Sequence, residues 1–151
     1  MLKKKLFTNR YYLSVIAVAV NAFLVAFIFA RSLQPADISQ QESETALDFL
    51  SYIFPFELSD HIVRKLAHFV EFAFLGMFTT VTVFSFARKP LKGTFVTLFL
   101  CLATAVTDEM LQLNVSGRSS QVSDVILDFS GSFTGIVFAT LIITIIYMRK
   151  G

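Results

Sequence analysis

Four apolar runs, each long enough to span a bilayer, alternate along the chain with short polar segments. A helix rising about 1.5 Å per residue needs roughly 20 mostly apolar residues to cross the hydrocarbon core. The runs fall at about residues 12–30, 66–87, 94–113 and 125–148, and the first holds no charged residue. The pattern predicts an all-α membrane protein: a four-helix transmembrane bundle forming a single domain over residues 1–151. Within the longest connection, Ala46, Leu47, Phe49, Leu50, Ile53 and Phe54 recur at helical spacing between Ser43 and Pro55. That segment reads as a short amphipathic helix lying in the outer interface. A re-entrant or protein-packed loop helix is the alternative.

Composition strengthens the membrane reading. Hydrophobic residues make up 55% of the 151 positions and charged residues only 16%, against about 25% charged in soluble domains. Such a chain has too few charges to cover a surface facing water. The net charge of +2 and the lack of a basic patch with interleaved aromatics give no sign of nucleic-acid binding. Cys101 is the single cysteine, so neither an internal disulfide nor a cysteine metal site is available. The basic Lys3–Lys4–Lys5 before the first run resembles the start of a signal peptide. The run exceeds a usual signal core of about 7–15 residues, and Ile28-Phe29-Ala30 is a poor cleavage site, so an uncleaved first span is expected.

The connecting charges predict an orientation. Lys3, Lys4, Lys5 and Arg10 precede the first span, Arg88, Lys89 and Lys92 lie between the second and third, and Arg149 and Lys150 end the chain. With four spans these segments share one side, which places both termini in the cytoplasm. The opposite loops are the net-acidic residues 31–65 and residues 114–124, where Arg118 is the only base.

Polar residues inside spans are costly, at about 2.5–3.5 kcal/mol for a charge at a helix centre. Lys65, His68 and Glu71 open the second span, Asp108, Glu109 and Gln112 end the third, and Asp124 and Asp128 open the fourth. In the predicted topology Glu71, Asp108 and Asp128 all lie about 6–8 Å inside the outer end of their helices. At about 100° per residue, Thr104, Asp108 and Gln112 share one stripe, and Asp124, Asp128, Gly131 and Gly135 another. Gly131-x-x-x-Gly135 permits close helix approach and points this face into the bundle. Of the five carboxylates Glu71, Asp108, Glu109, Asp124 and Asp128, gathered with Lys65, Arg118, His68 and Arg64, some must pair, protonate or bind a cation. Arg118 is the natural fork for two of them. A salt-bridge network that merely seals the helix ends is the plain alternative.

The chemistry stays open at this point. His68, Glu71, Asp108 and Glu109 are candidate acid–base groups. His68 and Glu71 lie one turn apart, and acids from other helices are able to complete a divalent site, yet a lone histidine with acids is a weak metal signature. No metal is therefore assigned, and no cofactor is identified. The chain contains no Ser-His-Asp context, phosphate loop or HExxH. Asn114-Val115-Ser116 matches a glycosylation sequon that carries little information alone.

Several spaced residues resemble the VanZ-like family. Lys65-x-x-His68 followed by Phe72 and Leu75-Gly76 resembles its K-x-x-H-x-x-x-Y-x-x-L-G opening. Asp108-Glu109-x-x-Gln112, Gly117-Arg118, then Asp124, Gly131 and Gly135 are similar to its D-E-x-x-Q…G-R…D-x-x-x-N-x-x-G-x-x-x-G run. Ser32-x-Gln34-Pro35 also fits an S-x-Q-P stretch. Phe72 replaces the family's usual tyrosine and Asp128 its usual asparagine. The family takes its name from a protein associated with teicoplanin resistance, so the resemblance implies a cell-envelope role in the bacterial plasma membrane, without implying a reaction. The site residues it implies are Lys65, His68, Asp108, Glu109, Gln112, Arg118 and Asp124; the stripe on the fourth span adds Asp128 as a ligand-binding candidate.

Beyond the lipid bilayer, the expected partner is an envelope lipid, a cell-wall precursor or a lipoglycopeptide bound in the outer polar pocket, which alters antibiotic sensitivity. The alternative is a membrane enzyme acting on a lipid-linked headgroup. A dimeric four-span drug transporter would want a buried acid near the midplane, whereas these acids gather at one end. A structural subunit would use the cluster only to fix helix packing. The sequence leaves the oligomeric state undefined.

Overall fold

The computed structural model describes residues 2–53, 59–87 and 90–149. Its helices are α1 (Leu2–Ser32), α2 (Ala36–Ile53), α3 (Asp60–Phe86), α4 (Pro90–Gln112) and α5 (Val122–Met148). Four segments are long and apolar enough to cross a membrane: Ser14–Ser32, Asp60–Phe86, Leu91–Gln112 and Val122–Met148. Their outward faces carry exposed Phe23, Phe74, Phe99 and Phe138, a distribution suited to acyl chains. The small core gathers Ile28, Phe72, Leu75 and Ala105. Phe72 thus fills an apolar position where the tyrosine of the resembled family would bring a hydroxyl.

The helix boundaries depart from expectation in two places. α3 begins at Asp60, six residues before the expected edge of the apolar run. The amides of Ile62 and Val63 donate to the Ser59 carbonyl, and Asp60 puts a negative charge in the first turn, which suits the helix dipole. Lys65 and His68 therefore project from regular helix. α2 starts at Ala36, ten residues before the first apolar position that marked it in the sequence. Ser43, expected as its boundary, is buried inside the helix and donates to the Ser39 carbonyl at 2.9 Å. α2 packs against α3 with Ser39 and Ser43 buried. Phe54 and Pro55 lie outside the described residues, as do Arg88, Lys89 and Lys150.

α3 and α5 run parallel and touch backbone to backbone, forming the most extensive helix pair in the structure. A Cβ at Gly131 would strike the Phe69 carbonyl, one at Gly135 the Ala73 carbonyl, and one at Gly76 the Ser132 carbonyl. The glycine stripe thus faces the bundle, as its sequence pattern suggested. α1 runs antiparallel to α3. Thr79 donates to Asn21 Oδ1 at 2.8 Å, and Thr82 to the Ala17 carbonyl at 3.1 Å. Asn21, the one strongly polar side chain of the first span, is satisfied by this bond. The topology brings the end of α1, α2, the start of α3, the end of α4 and the start of α5 to one end of the bundle.

Candidate functional site

At the α2 end, three hydrogen-bonded groups surround two adjoining cavities. The first group is built on Asp108, which is 0% exposed. Ser32 Oγ donates to Asp108 Oδ1 at 2.5 Å and Gln112 Nε2 to Oδ2 at 3.0 Å. Gln112 lies one helical turn after Asp108, so that bond is local; the Ser32 bond ties the end of α1 to α4. Ser32→Ala removes the donor from a buried carboxylate oxygen, a change that costs about 1–3 kcal/mol. A lower melting temperature in detergent is expected, and an unchanged one would mean that Asp108 Oδ1 draws no support from Ser32.

The second group belongs to Arg118. Gly117 adopts φ 78°, a left-handed conformation that glycine enters without steric cost, and it turns the chain so that Arg118 reaches back to α1. There Arg118 Nε donates to the Gln34 carbonyl at 3.0 Å and its Nη2 to the Arg31 carbonyl at 3.3 Å. The expected fork onto two carboxylates is not what forms. The last carbonyls of a helix lack intrahelical donors, and the guanidinium takes that of Arg31, in the last turn of α1, together with that of Gln34, two residues past its end. Burial pushes the Arg118 guanidinium below its usual range, and neighbouring Arg64 and Arg31 act in the same direction, while Asp108 and Glu109 oppose them.

The third group ties α3, α4 and α5 together. Lys65 Nζ pairs with Asp124 Oδ1 at 2.7 Å. Glu109 Oε2 accepts from the Gln121 amide at 3.1 Å, which satisfies the residue that caps α5. Glu71 stands apart from these residues. Arg31 bridges it to Glu42, with N–O distances of 3.0 Å to each acid, so the four acid–base candidates divide between two environments. Arg31 escaped the sequence reading because its two acid partners belong to different helices.

His68 and Asp128 sit between the groups. Their nearest atoms, Nδ1 and Oδ1, are 3.8 Å apart, beyond hydrogen-bond length. One cavity of about 130 Å³ is bounded by Lys65, His68, Glu109, Arg118, Asp124 and Asp128, with Arg64, His61 and Gln112 also on its wall. A second, of about 410 Å³, lies between α2 and α3. Arg64, His68 and Arg118 line both. Arg64 makes no ion pair among the described residues, and with His61 it completes a basic rim that sequence spacing only half revealed. The pocket is therefore of mixed charge, with Glu109 and Asp128 its most deeply buried charged residues.

The spans, the glycine-packed helix pair and the polar end define a multi-pass helical membrane protein. The family model described as VanZ/LLP1 matches residues 17–144, and the chain belongs to that family. No curated protein and no solved structure matches it. Ser32, Gln34, Asp108, Gln112 and Arg118, which carried the resemblance in widely separated stretches, meet in the first two groups.

Proposed function

We propose that this protein sits in the bacterial plasma membrane with both termini in the cytoplasm. There it binds the anionic headgroup of an envelope lipid or lipid-linked cell-wall precursor at its outer end, and so sets sensitivity to teicoplanin-type glycopeptides. The observation that carries the reading is Arg64, which lines both cavities without an ion pair among the described residues. A half-buried guanidinium beside Arg118 favours an anion with several acceptor oxygens, as a phosphate offers. Lys65 is already held by Asp124, which leaves Arg64 as the pocket cation most available to a ligand. The expected depth of the pocket, in the outer leaflet, matches the level of lipid headgroups.

The test uses the purified full chain in detergent with a polyprenyl phosphate and the corresponding uncharged alcohol. Selective binding of the phosphate is expected, weakened at least tenfold by Arg64→Gln. Equal binding of both lipids would overturn the reading. In cells lacking the protein, wild type should restore the glycopeptide response, whereas Arg64→Gln and Glu109→Gln should not, at matched membrane abundance. A second reading, an acid–base enzyme acting on the same headgroup, draws support from His68, which lines both cavities beside buried acids. It predicts product formation in detergent that disappears in His68→Ala.

A further inference from the structure

The acids of the polar end are not equally matched with bases. Glu71 pairs with Arg31, Asp124 pairs with Lys65, and Glu109 accepts a backbone amide. Asp108 and Asp128 make no ion pair with lysine or arginine among the described residues, although they are 0% and 1% exposed. Asp108 is held by neutral donors alone. Asp128 has less: its Oδ2 is fully buried with no hydrogen-bond partner. A buried carboxylate left in that state is strongly disfavoured unless something neutralises it.

His68, Asp108 and Asp128 each turn one ligand atom toward the others, and the three atoms all lie within 4.8 Å of one another. They come from α3, α4 and α5, so an ion between them would clamp three helices. The geometry points to a divalent-cation site formed by His68, Asp108 and Asp128 at the polar cavity. One imidazole nitrogen and two carboxylate oxygens suit a first-row transition ion such as Zn²⁺ or Mn²⁺. Ligands about 2.0–2.2 Å from such an ion stand roughly 3–3.5 Å from each other in tetrahedral or cis-octahedral positions. Side-chain movement of about an ångström closes the set to that spacing. Two carboxylates match the charge of the ion, and two of the three ligands, His68 and Asp128, line the cavity. Sequence spacing alone assigned no metal, because these ligands lie 20 or more residues apart on different helices. Asp128, where the resembled family usually carries asparagine, supplies the second charge, so the site depends on this chain's own departure. It does not depend on the headgroup reading.

The full chain, purified in detergent and stripped with a chelator, is titrated with Zn²⁺ or Mn²⁺ alone. One ion per chain is expected by calorimetry, together with a rise in melting temperature. Asp128→Asn, nearly isosteric, should weaken binding at least tenfold and abolish the thermal shift. Glu44→Gln, on the exposed face of α2, should leave both unchanged. Co²⁺ loaded in place of the ion should give ligand-field absorption that His68→Gln alters, a readout that a purely structural role for the cluster would not move. Absence of stoichiometric binding, or equal affinity in wild type, Asp128→Asn and His68→Gln, would overturn the proposal.

Discussion

Gly135→Leu should prevent the bundle from assembling, with loss of a monodisperse species in detergent and of any cooperative melting transition. A Cβ at this position overlaps the Ala73 carbonyl and comes within 2.8 Å of the Met77 amide nitrogen. Both obstacles are backbone atoms of α3, so no rotamer change relieves them; the helices must separate. Overpacking a soluble core costs about 1–3 kcal/mol when side chains can adjust, and a rigid backbone obstacle pushes the cost beyond that range. Separation would also break contacts at Gly131 and Gly76, where an added Cβ would likewise run into a backbone carbonyl of the facing helix. In a membrane this loss is hard to recover, because lipid tails are as apolar as the helices and close packing supplies much of the association energy. Gly93→Ala serves as the contrast. A Cβ there meets only side-chain atoms, of Ala87 at 3.1 Å and Phe84 at 3.3 Å, and the Phe84 ring can shift. A melting temperature near wild type is expected for Gly93→Ala. If Gly135→Leu behaved in the same way, the parallel α3–α5 contact would be wrong.

The parts of this fold that were legible in the sequence are those governed by local periodicity. Apolar runs gave the spans, and the common face of Asp124, Asp128, Gly131 and Gly135 correctly pointed that stripe into the bundle. The start of α2 was less legible, since Ala36–Glu44 carries little apolar signal and its buried face is made by serines. Arg118 was harder still. Its partners are backbone carbonyls of Arg31 and Gln34, and a carbonyl looks the same beneath every residue letter. Ser32 and Asp108, separated by 76 positions, were each visible as motif residues, while their bond depends on how α1 ends beside α4. The division of acids into those with a basic partner and those without is likewise a property of tertiary packing. Counting five carboxylates predicted that some must be neutralised; only the fold distinguishes Glu71, met by Arg31, from Asp128, met by no such base.

Arg118→Ala should lower both stability and headgroup binding, in a pattern that separates Arg118 from Arg64. The truncation removes two charge-assisted hydrogen bonds at the corner between α1 and α2, with an expected loss of roughly 2–4 kcal/mol, read as a clear drop in melting temperature. The same side chain lines both cavities, so phosphate-lipid binding should fall as well. Arg118→Lys retains the charge but not the planar fork, and a single ammonium does not reproduce the paired geometry; it should recover part of the binding and less of the stability. Arg64→Gln breaks no ion pair among the described residues and should lose binding while melting close to wild type. Stability and binding thus move together at Arg118 and separately at Arg64. If Arg64→Gln lowered the melting temperature as far as Arg118→Ala, Arg64 would be a structural residue and the pocket would lose its available cation. If Arg118→Ala left stability intact, the corner between α1 and α2 would be held by something other than the guanidinium, and the coupling between the loop after α4 and the end of α1 would have to be abandoned.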